Sequence, residues 1–253
     1  MMKSMLYRAG RAAIVPTALA CGLMAQSASA VHTDQNYTVN FVQINGQGAS
    51  GTGTLTVNPG ASSLLVQITA TGLQPGGPHV AHIHGAFSNG TSGSPVNSIT
   101  PTLAQDTDGD GFIELEEGGV TYGPIIIEFG NIDPDLDGIV NYSQTFDLLD
   151  SATFTGGYGR TDLLGPGLSS LDLREIVIHG LGVAAGIGAG TPGEVNGAGG
   201  YLAVLPVLSG VINDAAGAGA VPEPTSWALM ILGFGAVGTT LRSRRRTSEL
   251  ASN

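Results

Sequence analysis

Three of the five histidines in this 253-residue chain stand close together, at positions 79, 82 and 84. If Val80–His84 is extended, the two-residue period puts His82 and His84 on one strand face, about 7 Å apart. Two imidazoles at that spacing can bind one metal ion, and His179, in a second strand-like run, can supply a third ligand. His79 has odd spacing and would face the other way. The spacing is compatible with a transition-metal site. The alternative is that these histidines only hydrogen-bond backbone groups at a sheet end.

The segment 106–117 matches the calcium-loop pattern D-x-D-x-D-G-x5-E at every defined position. Its expected ligands are the carboxylates of Asp106, Asp108 and Asp110, the backbone carbonyl of Phe112, Glu114 directly or through water, and a bidentate Glu117. So many like charges close together cost free energy without a cation. Pro101 upstream and Gly118-Gly119 downstream argue against flanking helices. We therefore predict a calcium loop inserted in a β domain, with an acidic solvated loop as the alternative.

A second acidic segment, 133–141, repeats the first half of that pattern. Its expected ligands are Asp133, Asp135, Asp137 and the backbone carbonyl of Ile139. Gln144 stands where the bidentate glutamate belongs, so a full site would need a carboxylate from elsewhere in the chain. The pattern leaves open whether this loop binds a second calcium ion or none.

The charge balance of residues 31–220 limits the possible partners. This region has eighteen Asp and Glu against two bases, Arg160 and Arg174, and no lysine. Phosphate recognition needs cationic side chains, so nucleic acid and anionic membrane are excluded as partners of this region. The single cysteine, Cys21, lies in the N-terminal segment, so no disulfide is expected. No nucleophile with a partnered base is recognisable, and we expect no enzyme activity.

Alternating and β-branched runs predict short strands with glycine and proline turns, and no window has convincing helical periodicity. The predicted strands are 37–44, 51–57, 63–71, 80–84, 125–129, 174–180, 201–208 and 211–212. We predict one all-β domain, a Greek-key β-sandwich over residues 31–212, with an acidic insertion at 102–145. We expect the glycine-rich segment 180–200 to form a long mobile loop.

The N-terminal residues 1–30 are typical of an export signal. A basic start and a short apolar stretch precede the small-residue site Ala28-Ser29-Ala30, which predicts cleavage before Val31. A membrane anchor is the alternative, although the apolar run is short for one. Residues 213–220 are predicted to be a linker.

The C-terminal segment 221–253 has a second sorting pattern. Pro222-Glu223-Pro224 is followed by an apolar run, 227–237, and then by arginines at 242 and 244–246. An apolar segment followed by arginines is typical of a stop-transfer helix. This order resembles the PEP-CTERM sorting signal of Gram-negative bacteria. The resemblance implies a C-terminal hydrophobic helix that enters the inner membrane transiently, an exosortase-type protease as partner, and release to the cell surface or extracellular matrix. A plain C-terminal anchor is the alternative.

The core resembles a CHRD (chordin-type) domain in three segments, 51–57, 73–85 and 176–180. That resemblance implies a β-sandwich related in plan to copper–zinc superoxide dismutase. In this comparison His82 and His84 are similar to the first copper-ligand pair and His179 to the late copper ligand, which implies copper or zinc. No histidine lies between His84 and His179, so the bridging and zinc histidines are missing. Tyr201 stands where the dismutases have a guiding arginine.

These observations predict an exported, calcium-stabilised CHRD-type binding or structural domain, sorted by exosortase to the cell surface or extracellular polysaccharide matrix. Extracellular polysaccharide is then an expected partner and nucleic acid is not. The alternative is a copper- or zinc-binding oxidoreductase of the superoxide dismutase-like type. Tyr201 and the missing histidines weigh against that alternative.

Overall fold

The computed structural model describes residues 34–46, 48–60, 62–165 and 171–215, together with Phe234. Within these residues the strands are β1 (Gln35–Gln43), β2 (Ser50–Asn58), β3 (Ser63–Thr71), β4 (Val80–Phe87), β5 (Pro95–Val96), β6 (Ile125–Asn131), β7 (Val140–Asp147), β8 (Arg174–Val183) and β9 (Gly200–Asp214). The helices are α1 (Leu115–Tyr122) and α2 (Arg160–Leu164), with short 3-10 turns at Leu103–Gln105, Ser151–Thr153 and Leu171–Leu173.

The strands form one antiparallel sheet in the order β5-β4-β8-β9-β1-β2-β3-β7, with β6 paired to β4. The long strand β9 pairs with β8 over most of its length and with β1 over its last part. It thereby carries the sheet from one layer into the other. The chain crosses between layers after β3, after β6 and again after β7, which is Greek-key connectivity. The predicted all-β Greek-key sandwich is confirmed.

The core lies between the two layers and follows from alternation in the strands. Val39, Leu55 and Val66 are almost fully buried, while their neighbours in β1, β2 and β3 are more exposed. Each such side chain stabilises the fold by about 1.5–3 kcal/mol on burial. Phe129 of β6 contacts Tyr142 and Phe146 of β7, at ring-centroid distances of 5.6 and 5.5 Å. These aromatic contacts join two strands that do not pair in the described sheet.

Strands β4 and β8 are buried on both faces, unlike β1 to β3. Ile83 and Ile176, which are paired across the two strands, lie in the core. His84 and Glu175, the next pair along, belong to the opposite face and are buried as well, as is His179. Helix α1 packs against β4 and β9 and contributes to this second buried layer. The candidate site lies in this layer.

Three of the sequence predictions need correction. No helix was expected within the β domain, yet α1 follows directly on the first acidic loop. The range 102–145, predicted as an insertion, contains β6 and most of β7, which are strands of the sheet, so it is not an insertion as a whole. In addition, β9 extends to Asp214, into the predicted linker.

The predicted signal peptide, the sorting motif Pro222-Glu223-Pro224 and the C-terminal hydrophobic helix lie outside the described residues. Among the residues that are described, no helix is long and apolar enough to cross a membrane.

Candidate metal centre and acidic loops

The three histidines chosen by their spacing come together on the face of β4 and β8 that points away from the core. One ring nitrogen from each of His82, His84 and His179 lies within 4.8 Å of the other two. The ring centroids are 5.7 Å apart for His82 and His84, 5.0 Å for His82 and His179, and 6.2 Å for His84 and His179. His179 reaches the group because Val177, two residues earlier on the same face of β8, is paired with His82. We call these three residues the histidine centre.

Backbone hydrogen bonds determine which nitrogens of the histidine centre remain free. His84 Nδ1 donates to the carbonyl oxygen of Gly123 (2.8 Å), and His179 Nδ1 donates to that of Val204. A carbonyl oxygen only accepts, so each Nδ1 carries the proton and each Nε2 has a lone pair. These two Nε2 atoms, and Nδ1 of His82, are buried and have no hydrogen-bond partner in the described chain. A metal ion would satisfy all three.

Burial favours the neutral form of all three rings. It lowers the pKa of His82 and of His84 to about 3, and that of His179 to about 4. Repulsion from His179 lowers the pKa of the other two further, whereas the backbone hydrogen bonds of His84 and His179 oppose the shift. Neutral imidazole is the form that binds metals. The free nitrogens are therefore available as ligands at neutral pH.

The end of α1 covers the histidine centre. Tyr122 is fully buried, and its ring lies 4.4 Å from the ring of His84, measured between centroids. Gly123, which ends the helix with φ +81°, supplies the carbonyl that orients His84. A side chain at Gly123 would meet the backbone of Gly85 at 2.4 Å, so only glycine fits there. Tyr122 and Gly123 were not predicted from the sequence, because no helix was expected at this place.

A buried carboxylate accompanies the histidines. Glu175 stands opposite His84 in the β4–β8 pair and is fully buried. Its Oε1 accepts hydrogen bonds from the hydroxyls of Thr100 and Ser209, while Oε2 has no partner in the described chain. Burial raises the pKa of Glu175, and the two hydroxyl bonds partly offset that shift. Thr100 and Ser209 are distant in sequence, which explains why no local pattern predicts this group.

His79 and Tyr201 lie beside the histidine centre and are not part of it. His79 is fully buried, with Nδ1 3.0 Å from the carbonyl oxygen of His179 and Nε2 2.9 Å from that of Gln74. It therefore has the backbone-binding role that was the alternative for all these histidines. Tyr201 donates to the carbonyl of Pro78 (2.9 Å), and its ring lies 6.2 Å from that of His79.

The first acidic loop, residues 106–117, brings three of its predicted ligands together. One carboxylate oxygen from each of Asp106, Asp108 and Glu117 lies within 4.8 Å of the others. Asp106 accepts from the backbone of Gly109 (2.7 Å) and of Gly111 (2.9 Å). Both glycines have left-handed backbones, with φ +78° and +89°. The loop thus turns sharply where the calcium-loop pattern requires it.

The other predicted ligands of this loop have different surroundings. Asp110 accepts from the backbone of Phe112 (2.8 Å) through Oδ1 and leaves Oδ2 buried without a partner. Burial raises the pKa of Asp110, and repulsion from neighbouring acids raises it further. The hydrogen bond from Phe112 opposes this shift. Glu114 is buried and accepts from the backbone of Val195 in the glycine-rich segment. Its carboxylate is therefore directed to that segment, outside the group formed by Asp106, Asp108 and Glu117.

Glu117 connects the first acidic loop to α1. Its Oε1 accepts from the backbone (2.6 Å) and hydroxyl (2.9 Å) of Thr107, and its Oε2 accepts from the backbone of Glu114 (3.1 Å). Burial acts to raise the pKa of Glu117, but these hydrogen bonds outweigh it and the pKa is lowered. The side chain is thus ionised, in the first turn of a helix that ends at the histidine centre.

The second acidic loop, residues 133–139, has the same backbone design. Asp133 Oδ2 accepts from the backbone of Gly138 (2.9 Å), and Asp137 accepts from that of Ile139 (2.8 Å). Carboxylate oxygens of Asp133, Asp135 and Asp137 lie within 4.8 Å of one another. A full site would need a further carboxylate, and within the described residues no fourth acidic side chain joins this group. Gln144 lies on β7 and is exposed.

Comparison with protein families gives two matches. Residues 29–131 match the CHRD domain, and residues 220–246 match the PEP-CTERM protein-sorting motif. No curated protein matches the chain. The CHRD match includes His82, His84 and the first acidic loop, while His179 and the second acidic loop lie beyond it. The chain therefore carries a CHRD domain, within a β-sandwich, and a PEP-CTERM sorting motif towards its C-terminus.

Proposed function

We propose that this protein is an exported, non-catalytic metal-binding domain, processed by an exosortase-type protease and placed at the cell surface or in the extracellular polysaccharide matrix. The PEP-CTERM motif supports export and processing by exosortase. The CHRD match favours a structural or binding role. The acidic surface and the two acidic loops suit an environment that supplies divalent cations.

The observation that carries the proposal is the set of three buried, unpartnered nitrogens in the histidine centre. Leaving several buried polar atoms unsatisfied is costly, and each such group in a folded protein calls for an explanation. Imidazole nitrogens suit copper and zinc, whereas calcium prefers oxygen. We therefore assign His82, His84 and His179 as ligands of one copper or zinc ion. Bound there, the metal would link β4 to β8 and provide a Lewis-acidic position beside the partly exposed His82.

Calcium in the first acidic loop is the second part of the proposal. Asp106, Asp108, Asp110, Glu117 and the carbonyl of Phe112 would hold it, in the arrangement of a twelve-residue calcium loop. The buried orphan oxygens of Asp108 and Asp110 support this assignment. A cation would remove the repulsion among these carboxylates and stabilise the connection between β5 and α1.

The alternative, a dismutase-like oxidoreductase, has less support. Steering of superoxide needs positive charge near the metal. Arg174 is the charged side chain to consider, but it donates to the backbone carbonyls of Ala86, Asp162 and Leu163. The charges that shift the pKa values of His82 and His84 are those of other histidines, and Arg174 is not among them. Tyr201 contributes no charge. We therefore keep non-catalytic metal binding as the function.

Metal uptake by the purified full chain in mild detergent tests the proposal. We expect about one equivalent of copper or zinc, bound by histidine nitrogens in the electron paramagnetic resonance spectrum of the copper form. His82→Gln, at the partly exposed ligand, should weaken binding by more than the roughly 10- to 100-fold that loss of an outer-shell partner costs. Because the ligand pKa values lie at about 3 to 4, uptake should persist at pH 5 and fall towards pH 4.

His79→Ala is the matched control, since it removes a buried histidine that is not a ligand. We expect it to lower the melting temperature and leave the metal stoichiometry unchanged. No uptake by the unmodified chain, or equal uptake by His82→Gln, would contradict the proposed centre. Rapid superoxide turnover by the loaded protein would instead favour the oxidoreductase.

Sorting is tested by fractionation of cells. Replacing Pro222, Glu223 and Pro224 with alanine should leave unprocessed protein in the inner membrane, because the protease loses its recognition site while the apolar segment is unchanged. Glu249→Ala, at the only other acidic residue of the segment, is the control and should be released normally. Normal release of the triple variant would show that the motif does not direct processing.

A further inference from the structure

We propose that the second acidic loop is a calcium site of its own, built around the buried carboxylate of Asp133. The proposal is independent of the histidine centre and of the first acidic loop, and it needs neither of them to be occupied. It is based on the burial and the unpartnered oxygen of Asp133, the two aspartates beside it, and the contacts that hold the loop against the connection between β3 and β4.

Asp133 is the strongest of these observations. The residue is completely buried, its Oδ2 accepts from the backbone of Gly138, and its Oδ1 has no partner in the described chain. Withdrawing a carboxylate from water is very costly unless a cation or several donors compensate it. Asp135 and Asp137 approach within 4.8 Å and add negative charge. The local structure therefore lacks a positive group at Oδ1.

His79 does not fill that role. Its Nε2 lies 3.9 Å from Asp133 Oδ2, which is beyond hydrogen-bond distance, and the same nitrogen lies 2.9 Å from the carbonyl of Gln74. Its Nδ1 is directed to the carbonyl of His179. The His79 ring thus approaches this carboxylate only at 3.9 Å and through Oδ2, and the oxygen without a partner in the described chain is Oδ1.

The loop is held in a shape suited to a cation. Leu136 has a left-handed backbone, φ +60°, which is unfavourable for a residue other than glycine. Its carbonyl accepts from Gly76 (2.9 Å), and the carbonyl of Gly138 accepts from Leu73 (3.2 Å). A side chain at Gly138 would meet the carbonyl of Leu73 at 2.3 Å. These contacts hold the backbone of the loop in one shape.

The donor set identifies the class of ion. The loop offers three carboxylates and, at the seventh position of the pattern, the carbonyl of Ile139. All of these are oxygen ligands, which suit calcium and not copper or zinc. Magnesium demands a more regular octahedron than a loop of this kind provides. With four protein groups and no bidentate glutamate, the affinity should be modest, with a Kd of about 0.1–1 mM as in extracellular calcium modules.

Calorimetric titration of the full chain with calcium tests the site. In the background Asp106→Asn and Glu117→Gln, which disables the first acidic loop, we expect one remaining calcium per chain. Adding Asp137→Asn, at an exposed ligand whose change should not disturb folding, should weaken that binding at least tenfold. Asp133→Asn should do the same. Glu128→Gln, at an exposed acid on β6 outside the loop, is the matched control and should leave binding unchanged.

Three results would overturn the site. They are no calcium bound by the disabled background, unchanged binding in Asp137→Asn, and magnesium binding more tightly than calcium. None of them would bear on copper or zinc uptake by the histidine centre, so this proposal and the proposed function fail separately.

Discussion

The two acidic loops begin alike and end differently. In each, the first aspartate accepts from the glycine five positions on at 2.9 Å, and the fifth-position aspartate accepts from the seventh residue at 2.8 Å. The first loop then continues into α1, and the second continues into β7. A helix rises 1.5 Å per residue and a strand about 3.3 Å. The helix therefore returns Glu117 to the carboxylates, whereas the strand carries Gln144 away to an exposed position.

The same difference explains which carboxylate of each loop is buried. The first loop leaves Asp106 partly exposed and buries its twelfth residue, Glu117. The second loop has no acid at the twelfth position and buries its first, Asp133, while Asp135 and Asp137 stay exposed. One sequence pattern thus produces two arrangements of carboxylates, depending on the element that follows it.

Each loop also contacts the histidine centre by its own route. The first does so through α1, whose last residues bring Tyr122 and the carbonyl of Gly123 to His84. The second does so through His79, which lies between Asp133 and the carbonyl of His179. The centre is therefore supported from two sides by elements that begin or end at acidic loops.

The largest expected effect is on the melting temperature, and it distinguishes Glu117 from Gln144, the twelfth residues of the two loops. Saturating calcium at about 100 times the Kd contributes about 2.7 kcal/mol, or roughly 5–10 °C in melting temperature for a domain of this size. Glu117→Gln should remove most of this increase, because it weakens a two-oxygen ligand. Gln144→Glu should add little, because β7 holds that position away from the aspartates. Melting of the full chain with and without calcium measures both effects.

Glu116→Gln is the control for that comparison, since it removes an exposed acid next to Glu117 that is not a predicted ligand. A calcium-dependent increase that survived Glu117→Gln would place the main calcium effect in the second loop. A strong gain from Gln144→Glu would mean that β7 is not rigid enough to exclude its twelfth residue.

The sequence predicted the parts of this site that depend on local spacing. Period-two alternation placed His82 and His84 on one face, and the aspartate-glycine pattern identified both acidic loops. The order of Pro222-Glu223-Pro224, apolar run and arginines agrees with the matched sorting motif.

What it missed depends on tertiary contacts. Gly118 and Gly119 disfavour a helix, yet α1 forms because Tyr122 is buried against His84 and Glu117 caps the first turn. The unused nitrogens of the histidine centre are visible only when the partners of each Nδ1 are known. The glycine-rich segment similarly shows no sign in sequence of its hydrogen bond to Glu114.

The smallest predicted effect is on copper affinity, and it follows from the contact that α1 makes between the first acidic loop and the histidine centre. Calcium in the first loop should fix the start of the helix and so the carbonyl of Gly123 that orients His84. Outer-shell partners of this kind tune metal affinity. We expect calcium to raise the copper affinity of the full chain about fivefold, the lower end of typical couplings between sites. Titration with copper(II) in calcium-free buffer without chelator, and again with calcium, measures this ratio.

Glu117→Gln should bring that ratio to one, and Asp137→Asn should leave it nearly unchanged, since the second loop acts through His79 on the other ligand strand. Linkage also requires copper to raise calcium affinity by the same factor, which provides an independent check. Equal copper affinities with and without calcium, in a chain that demonstrably binds both ions, would show that α1 holds Gly123 in place by packing alone. The two loops would then differ in their ligands and not in their influence on the histidine centre.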